Sequence, residues 1–178
     1  MKNKKRMSFH KGPRWVQRKA PISKPKLKPN PKQSPKNKLI KRKPIFKTQA
    51  NAFEQEGFRL VNQERTSRGL RALTLNSRLT EVARLKSADM RDNHYFGHNS
   101  PTYGTPAQML ARFGISGYVA ENIAAGYSTP QEVMNGWMNS PGHRSNILNP
   151  EAREIGVGYV AGTSSSQYPH YWTQLFVR

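Results

Sequence analysis

The excess positive charge of this chain is confined to one end. Residues 1 to 52 carry 18 Lys/Arg and no Asp or Glu, whereas residues 53 to 178 carry 12 Lys/Arg and all 10 acids. Of the formal charge of +20, +18 therefore belongs to the first segment and +2 to the second. From Lys19 to Lys47 the lysines are interleaved with Pro21, Pro25, Pro29, Pro31, Pro35 and Pro44. Each proline removes a backbone donor and biases its predecessor toward extended geometry, and the like charges repel. Residues 1–52 are expected to form a disordered, partly polyproline-II arm. At roughly 3.1 Å per residue its extreme reach is on the order of 150 Å. Such an arm is either a solvated spacer or targeting segment, or a polycation that holds the rest of the chain on a polyanion. An anionic surface, wall polymer or membrane, fits that charge. Nucleic acid ranks below it, because Phe9 and Trp15 offer little stacking surface for bases.

The remaining residues, 53–178, suffice for one modest domain. With no cysteine in the chain, a disulfide framework, a thiolate zinc site and a cysteine nucleophile are excluded. No apolar run approaches the ~20 residues that a membrane-spanning helix needs, so no transmembrane segment is expected. The basic start is not followed by an apolar run of even ~7 residues, so no export signal is visible.

Local patterns predict four helices followed by two strands. Phe53, Leu60, Phe58 and Val61 recur at near-helical spacing up to Arg68, with Gly69 as a stop. From about Ser77 to Asn93, the residues Leu79, Val82, Ala83, Lys86 and Met90 form one stripe, apolar apart from a lysine stem. Thr105-Pro106-Ala107-Gln108 and Thr129-Pro130-Gln131-Glu132 each combine a capping threonine, a proline at the first helical position and a Gln or Glu at the third. They open a short helix through Phe113 and another closing near Asn139, before a Pro141-Gly142 turn. Ile155, Val157 and Tyr159 alternate with Gly156 and Gly158, and Tyr171 to Val177 is aromatic and β-branched. Helices first and strands last predict an α+β fold.

The familiar signatures of catalysis and metal binding are absent: there is no HExxH, GxSxG, Walker loop or EF-hand loop. What remains is placement at element ends, where sites are commonly built. His98 follows the second helix, Glu121 lies in a Gly-flanked stretch, and His143 follows the fourth helix. Two imidazoles and one carboxylate could hold a divalent cation or let a Glu orient a His as general base. Spacing alone equally allows each His to be a turn or core residue bonded to backbone. Trp137 and Trp172 read as core rather than as a ligand groove. Ser140 reads as a helix-end turn residue rather than a nucleophile, and Arg144 and Asn146 as side chains that satisfy nearby carbonyls.

The segments FGHNSP, TPAQML, AENIAAGYSTPQEVMNGWMNSPGHRSNILNP, EIGVGYV and YWTQLF occur in the order found in the CAP superfamily, the cysteine-rich secretory, antigen 5 and pathogenesis-related 1 group. The chain resembles its bacterial SCP-like branch over residues 53–178. That resemblance implies a three-layer α-β-α sandwich with a surface cleft, in an extracellular or cell-envelope protein. It also implies a His, Glu, Glu, His tetrad in the cleft. His98 matches the first His and Glu121 the first Glu, but Ser140 stands at the second Glu and Tyr171 at the second His. Half the tetrad is missing, so a divalent metal such as zinc would be bound weakly, through His98, Glu121 and His143. Ser140, Tyr171 and His170 are expected to line the cleft.

Three functions are compatible with these features. One is an envelope binding module whose cleft takes a small apolar or wall-derived ligand while the arm tethers it to an anionic surface. A second is a hydrolase using His98, Glu121 and His143. In the third, the arm binds a polyanion or nucleic acid and the domain is its passenger.

Overall fold

The computed structural model of the protein describes residues 49–178; most of the arm expected for residues 1–52 lies outside them. The described chain runs α1 (Ala52–Thr66), β1 (Thr74–Leu75), α2 (Ser77–Asp92), α3 (Pro106–Arg112), β2 (Tyr118–Ala125), α4 (Pro130–Met138), α5 (Pro141–Ile147), β3 (Glu154–Ala161) and β4 (His170–Val177).

The four expected helices are present, and their ends follow local chemistry. Asn51 caps α1 by accepting from the Glu54 amide, while the Glu54 carboxylate accepts from the Asn51 amide. Thr105 with Gln108, and Thr129 with Glu132, close the same reciprocal box on α3 and α4. Each such cap is worth about 1 kcal/mol. Three elements depart from the expectation. Pro141-Gly142 opens α5 instead of making a turn, because proline is well suited to a first helical position. The AENIA stretch is the middle of β2, and Thr74–Leu75 adds a short β1. His94 adopts φ 52°, the left-handed conformation more usual for glycine, and so terminates the chain path of α2.

The strands form one sheet in the order β1-β3-β4-β2. β1 pairs with β3 in parallel, and the other pairs are antiparallel. Strand alternation sends side chains to two different layers. Ile155, Val157, Trp172 and Phe176 pack with Val61 of α1, Val133 and Trp137 of α4 and Ile147 of α5. Leu175 and Val177 pack on the opposite side with Leu79, Val82 and Ala83 of α2 and with Met109 and Leu110 of α3. The result is an α-β-α sandwich. Each fully buried aliphatic side chain contributes about 1.5–3 kcal/mol relative to exposure.

The alternation of glycine in β3 has a packing purpose. A Cβ at Gly156 would lie 2.3 Å from the Leu79 carbonyl carbon, and one at Gly158 would lie 2.2 Å from that of Ala83. The backbone of α2 therefore rests directly on β3. Two buried charges of α1 are satisfied by partners on other elements. Glu54, with no exposed surface, accepts from Arg84 at 2.8 and 2.5 Å and from the Tyr159 amide at 3.2 Å. Arg65, equally buried, donates to the carbonyls of Arg71, Ile147 and Asn149 and so ties the end of α5 to α1.

Candidate functional site

β2 is an edge strand, and two layers close around it from opposite sides. Glu121 pairs across the sheet with Leu175 and thus faces the α2 layer, whereas Asn122 pairs with Gln174 and faces the α4–α5 layer. The two neighbours accordingly hold different parts of the site. Glu121 Oε1 lies 2.8 Å from His98 Nδ1. Asn122 donates to the His143 carbonyl at 3.2 Å and to Gln174 Oε1 at 3.1 Å, and accepts from Asn146 at 2.8 Å. Asn146 also donates to the Glu121 carbonyl, and Trp137 Nε1 donates to that of Ile123. Side chains of α4 and α5 thereby occupy carbonyls along an edge that would otherwise invite another strand.

The loop carrying His98 is tied down from below by two buried charges of α2. Lys86 Nζ donates to the Tyr95 hydroxyl at 2.9 Å and to the carbonyls of Gly97 and His98 at 2.7 and 2.9 Å. Burial pushes the Lys86 ammonium below its ordinary value, while Glu121 and Asp89 act in the opposite direction. Asp89 accepts from Tyr95, Ser100, Thr102 and Asn93. Burial works against the Asp89 carboxylate, but those donors outweigh it and hold the group below the usual carboxylate range. Lys86, whose stem completes the apolar stripe of α2, is a buried anchor with 1% exposure.

Between these layers lies an open cleft of about 460 Å³. Phe96, Ile123, Tyr127 and Trp137 supply apolar wall, and His98, Ser140 and His143 supply polar atoms. Ser140 Oγ lies 2.8 Å from His143 Nδ1. Burial, and then the neighbouring His98, push the His143 imidazole below its ordinary value. Both imidazoles thus use Nδ1 for a protein contact, one with a carboxylate and one with a hydroxyl. Glu121 is only 4% exposed, and its Oε2 is buried with no hydrogen-bond partner. On one side it meets His98 Nδ1, and Lys86 lies at longer range.

Of the residues named from sequence, His98, Ser140 and His143 line this cleft, with Glu121 directly behind His98. Tyr171 does not. It has no exposed surface, packs with Met90 and Ile123, and accepts from the Tyr168 amide at 3.0 Å. Strand alternation in β4 turns it into the core. His170 also lies outside the cleft wall: its Nδ1 is 3.0 Å from the Tyr159 hydroxyl and its ring stacks on Tyr159. Among the described residues, no group of three or more His, Cys, Asp or Glu side chains is placed to hold a metal ion. Phe96 and Tyr127 escaped the sequence reading, because an aromatic in a loop carries no periodic signal. The tight contact of Tyr127 with Gly136, where a Cβ would lie 2.7 Å from the hydroxyl, is likewise visible only in three dimensions.

An α-β-α sandwich with a cleft at its edge strand and a buried glutamate behind an exposed histidine defines a class of protein. A model of the cysteine-rich secretory protein family, CAP, matches residues 58–176, and the chain belongs to that family. It is 50% identical over 128 residues to the uncharacterized protein YkwD of Bacillus subtilis, covering 71% of this chain and 48% of that one. It is 32% identical over 148 residues to the uncharacterized membrane protein YlbC of the same bacterium, covering 80% and 40%. The chain therefore spans less than half the length of each of these two relatives. Among solved structures, an extracellular SCP-domain protein from Bacillus anthracis has a TM-score of 0.62 at 37% identity, covering 70% of this chain and 40% of that one. An outer surface protein from Borrelia burgdorferi has a TM-score of 0.59 at 21% identity, covering 68% and 89%, a likeness of fold alone.

Proposed function

We propose that this protein is an extracellular or cell-envelope binding module. Its cleft takes a small, partly apolar or wall-derived ligand, and residues 1–52 hold the molecule on an anionic wall or membrane surface. The observation that carries the reading is the character of the cleft wall. Phe96 and Tyr127 are 47% and 39% exposed on an otherwise well-packed domain, and both face a cavity bordered by His98, Ser140 and His143. Exposed aromatics around a concave site with a few polar groups are the ordinary makings of a ligand pocket. The description of the 37% identical Bacillus anthracis protein as extracellular supports the location. The +18 charge of residues 1–52 supports the tether.

The test is a titration of the full chain with soluble wall muropeptides and with a medium-chain fatty acid, followed through the fluorescence of Trp137. Saturable binding is expected with one of the two probes. Phe96→Ala and Tyr127→Ala should each weaken it about tenfold, as befits an aromatic anchor. Binding of neither probe, or binding that ignores both substitutions, refutes the cleft reading. Salt tests the tether separately: sedimentation with purified wall or anionic vesicles should fall steeply as ionic strength rises and vanish when residues 1–48 are removed.

A further inference from the structure

The cleft contains a serine whose hydroxyl is withheld from its local structural duty. Asn51, Asn76, Thr105 and Thr129 each cap a helix by accepting from the backbone amide three residues on. Ser140 occupies the same position at the start of α5, has an extended backbone (φ −103°, ψ 116°), and makes no side-chain cap bond. A serine there ordinarily caps. Its Oγ is instead 2.8 Å from the Nδ1 of His143, and both residues line the cleft. We propose that Ser140 and His143 form a nucleophile–base pair for acyl transfer, acting on a carbonyl ester whose apolar portion rests on Phe96, Tyr127 and Trp137.

The rest of the site suits that chemistry. His143 is half-buried and its imidazole is held toward the neutral form by burial and by His98, so Nδ1 is available to accept a proton near neutral pH. The Nε2 atoms of His98 and His143 make no hydrogen bond to the described residues.

In the first half-reaction Ser140 Oγ bonds to the ester carbon as its proton passes to His143 Nδ1. The bond from that carbon to the alcohol oxygen then breaks, and the departing alkoxide takes the proton and leaves as an alcohol. Water next gives a proton to His143 and bonds to the acyl carbon. The bond to Ser140 Oγ breaks, and the serine recovers the proton as a carboxylic acid is released. The sum is ester plus water giving acid plus alcohol, with no other reactant. This activity does not depend on the binding module's natural ligand, and either idea can fail alone.

Two experiments on the full chain test it. A fluorophosphonate probe should modify the native protein at Ser140, located by peptide mass spectrometry, and His143→Gln should slow that modification by about two orders of magnitude. The second exploits the absence of cysteine from the chain. Ser140→Cys introduces a single thiol of nearly the same shape, and its alkylation by iodoacetamide at pH 7 reports whether His143 activates the position. The rate should exceed that of the same variant in urea by about tenfold or more, and adding His143→Gln should remove the difference. Failure of the fluorophosphonate to mark Ser140, or a thiol that reacts no faster in the folded chain than in urea, overturns the proposal.

Discussion

His98 and Glu121 form a pair of unequal partners: Nδ1 and Oε1 are 2.8 Å apart, yet the histidine side chain is 54% exposed and the glutamate 1%. The arrangement places a carboxylate under a surface imidazole, where it can orient the ring without itself meeting solvent. Twenty-three residues separate them in the chain, so their contact joins the loop after α2 to the edge strand of the sheet.

Glu121→Gln preserves the shape of that junction and removes its charge. The charge-assisted contact to His98 is lost and the compensation of Lys86 weakened, so the variant should be less stable by about 1–3 kcal/mol. Urea unfolding monitored by tryptophan fluorescence measures the difference. A midpoint equal to that of the parent would mean that the buried carboxylate contributes nothing net to the fold.

Asp89 makes the fold acid-sensitive in a definite direction. Its folded-state pKa lies below the ordinary carboxylate value, so the unfolded chain binds the proton more readily. The resulting stability is fully present above the unfolded value, about 4, and is lost as pH falls through the lower folded value. Asp89→Asn should lower stability at pH 7 and flatten its dependence on pH below about 4. Thermal melts across pH 2.5–7 would contradict this if the two proteins lost stability in parallel.

Lys86 is expected to act as the anchor of the His98 loop. Lys86→Met keeps much of the stem but leaves the Gly97 and His98 carbonyls without their donor. A loss of about 3 kcal/mol is expected. Hydrogen exchange should also quicken between residues 95 and 104 more than in α4 or α5. Uniform exchange across all of these segments would assign Lys86 no special hold on the loop.

Glycines in β3 and α5 should respond oppositely to the same methyl group. Gly158→Ala drives a Cβ into the Ala83 backbone of α2 and should cost about 3 kcal/mol or more. Gly142→Ala meets nothing within 4 Å and lies in a helix, so it should be neutral or stabilise by up to about 1 kcal/mol. Equal melting temperatures for the two variants would refute the close approach of α2 to β3.

Amino-acid order alone was sufficient wherever the governing interaction spans three or four residues. The reciprocal caps at Thr105 and Thr129, the stripe from Leu79 to Met90, the alternation in β3 and the aromatic and β-branched run of β4 are all short-range patterns, and each appears at the place they indicate. Local order misjudged α5, because Pro141-Gly142 is equally good chemistry for a turn and for a helix start. It also missed β2, because a strand buried on both faces by Ala120, Glu121, Asn122 and Ile123 shows no alternation of polarity.

The site depended on contacts that no local pattern encodes. Sequence resemblance placed Ser140 and Tyr171 at equivalent depth in one cleft. Only the packed sheet separated them, since Ser140 stands at the start of a surface helix and lines the cleft, whereas Tyr171 projects from β4 into the core under α2. Likewise, His98, Glu121 and His143 could be grouped on paper as metal ligands. The fold assigns the first two to each other and the third to Ser140, because adjacent residues of one strand, Glu121 and Asn122, face opposite layers and each layer brings its own histidine to the edge.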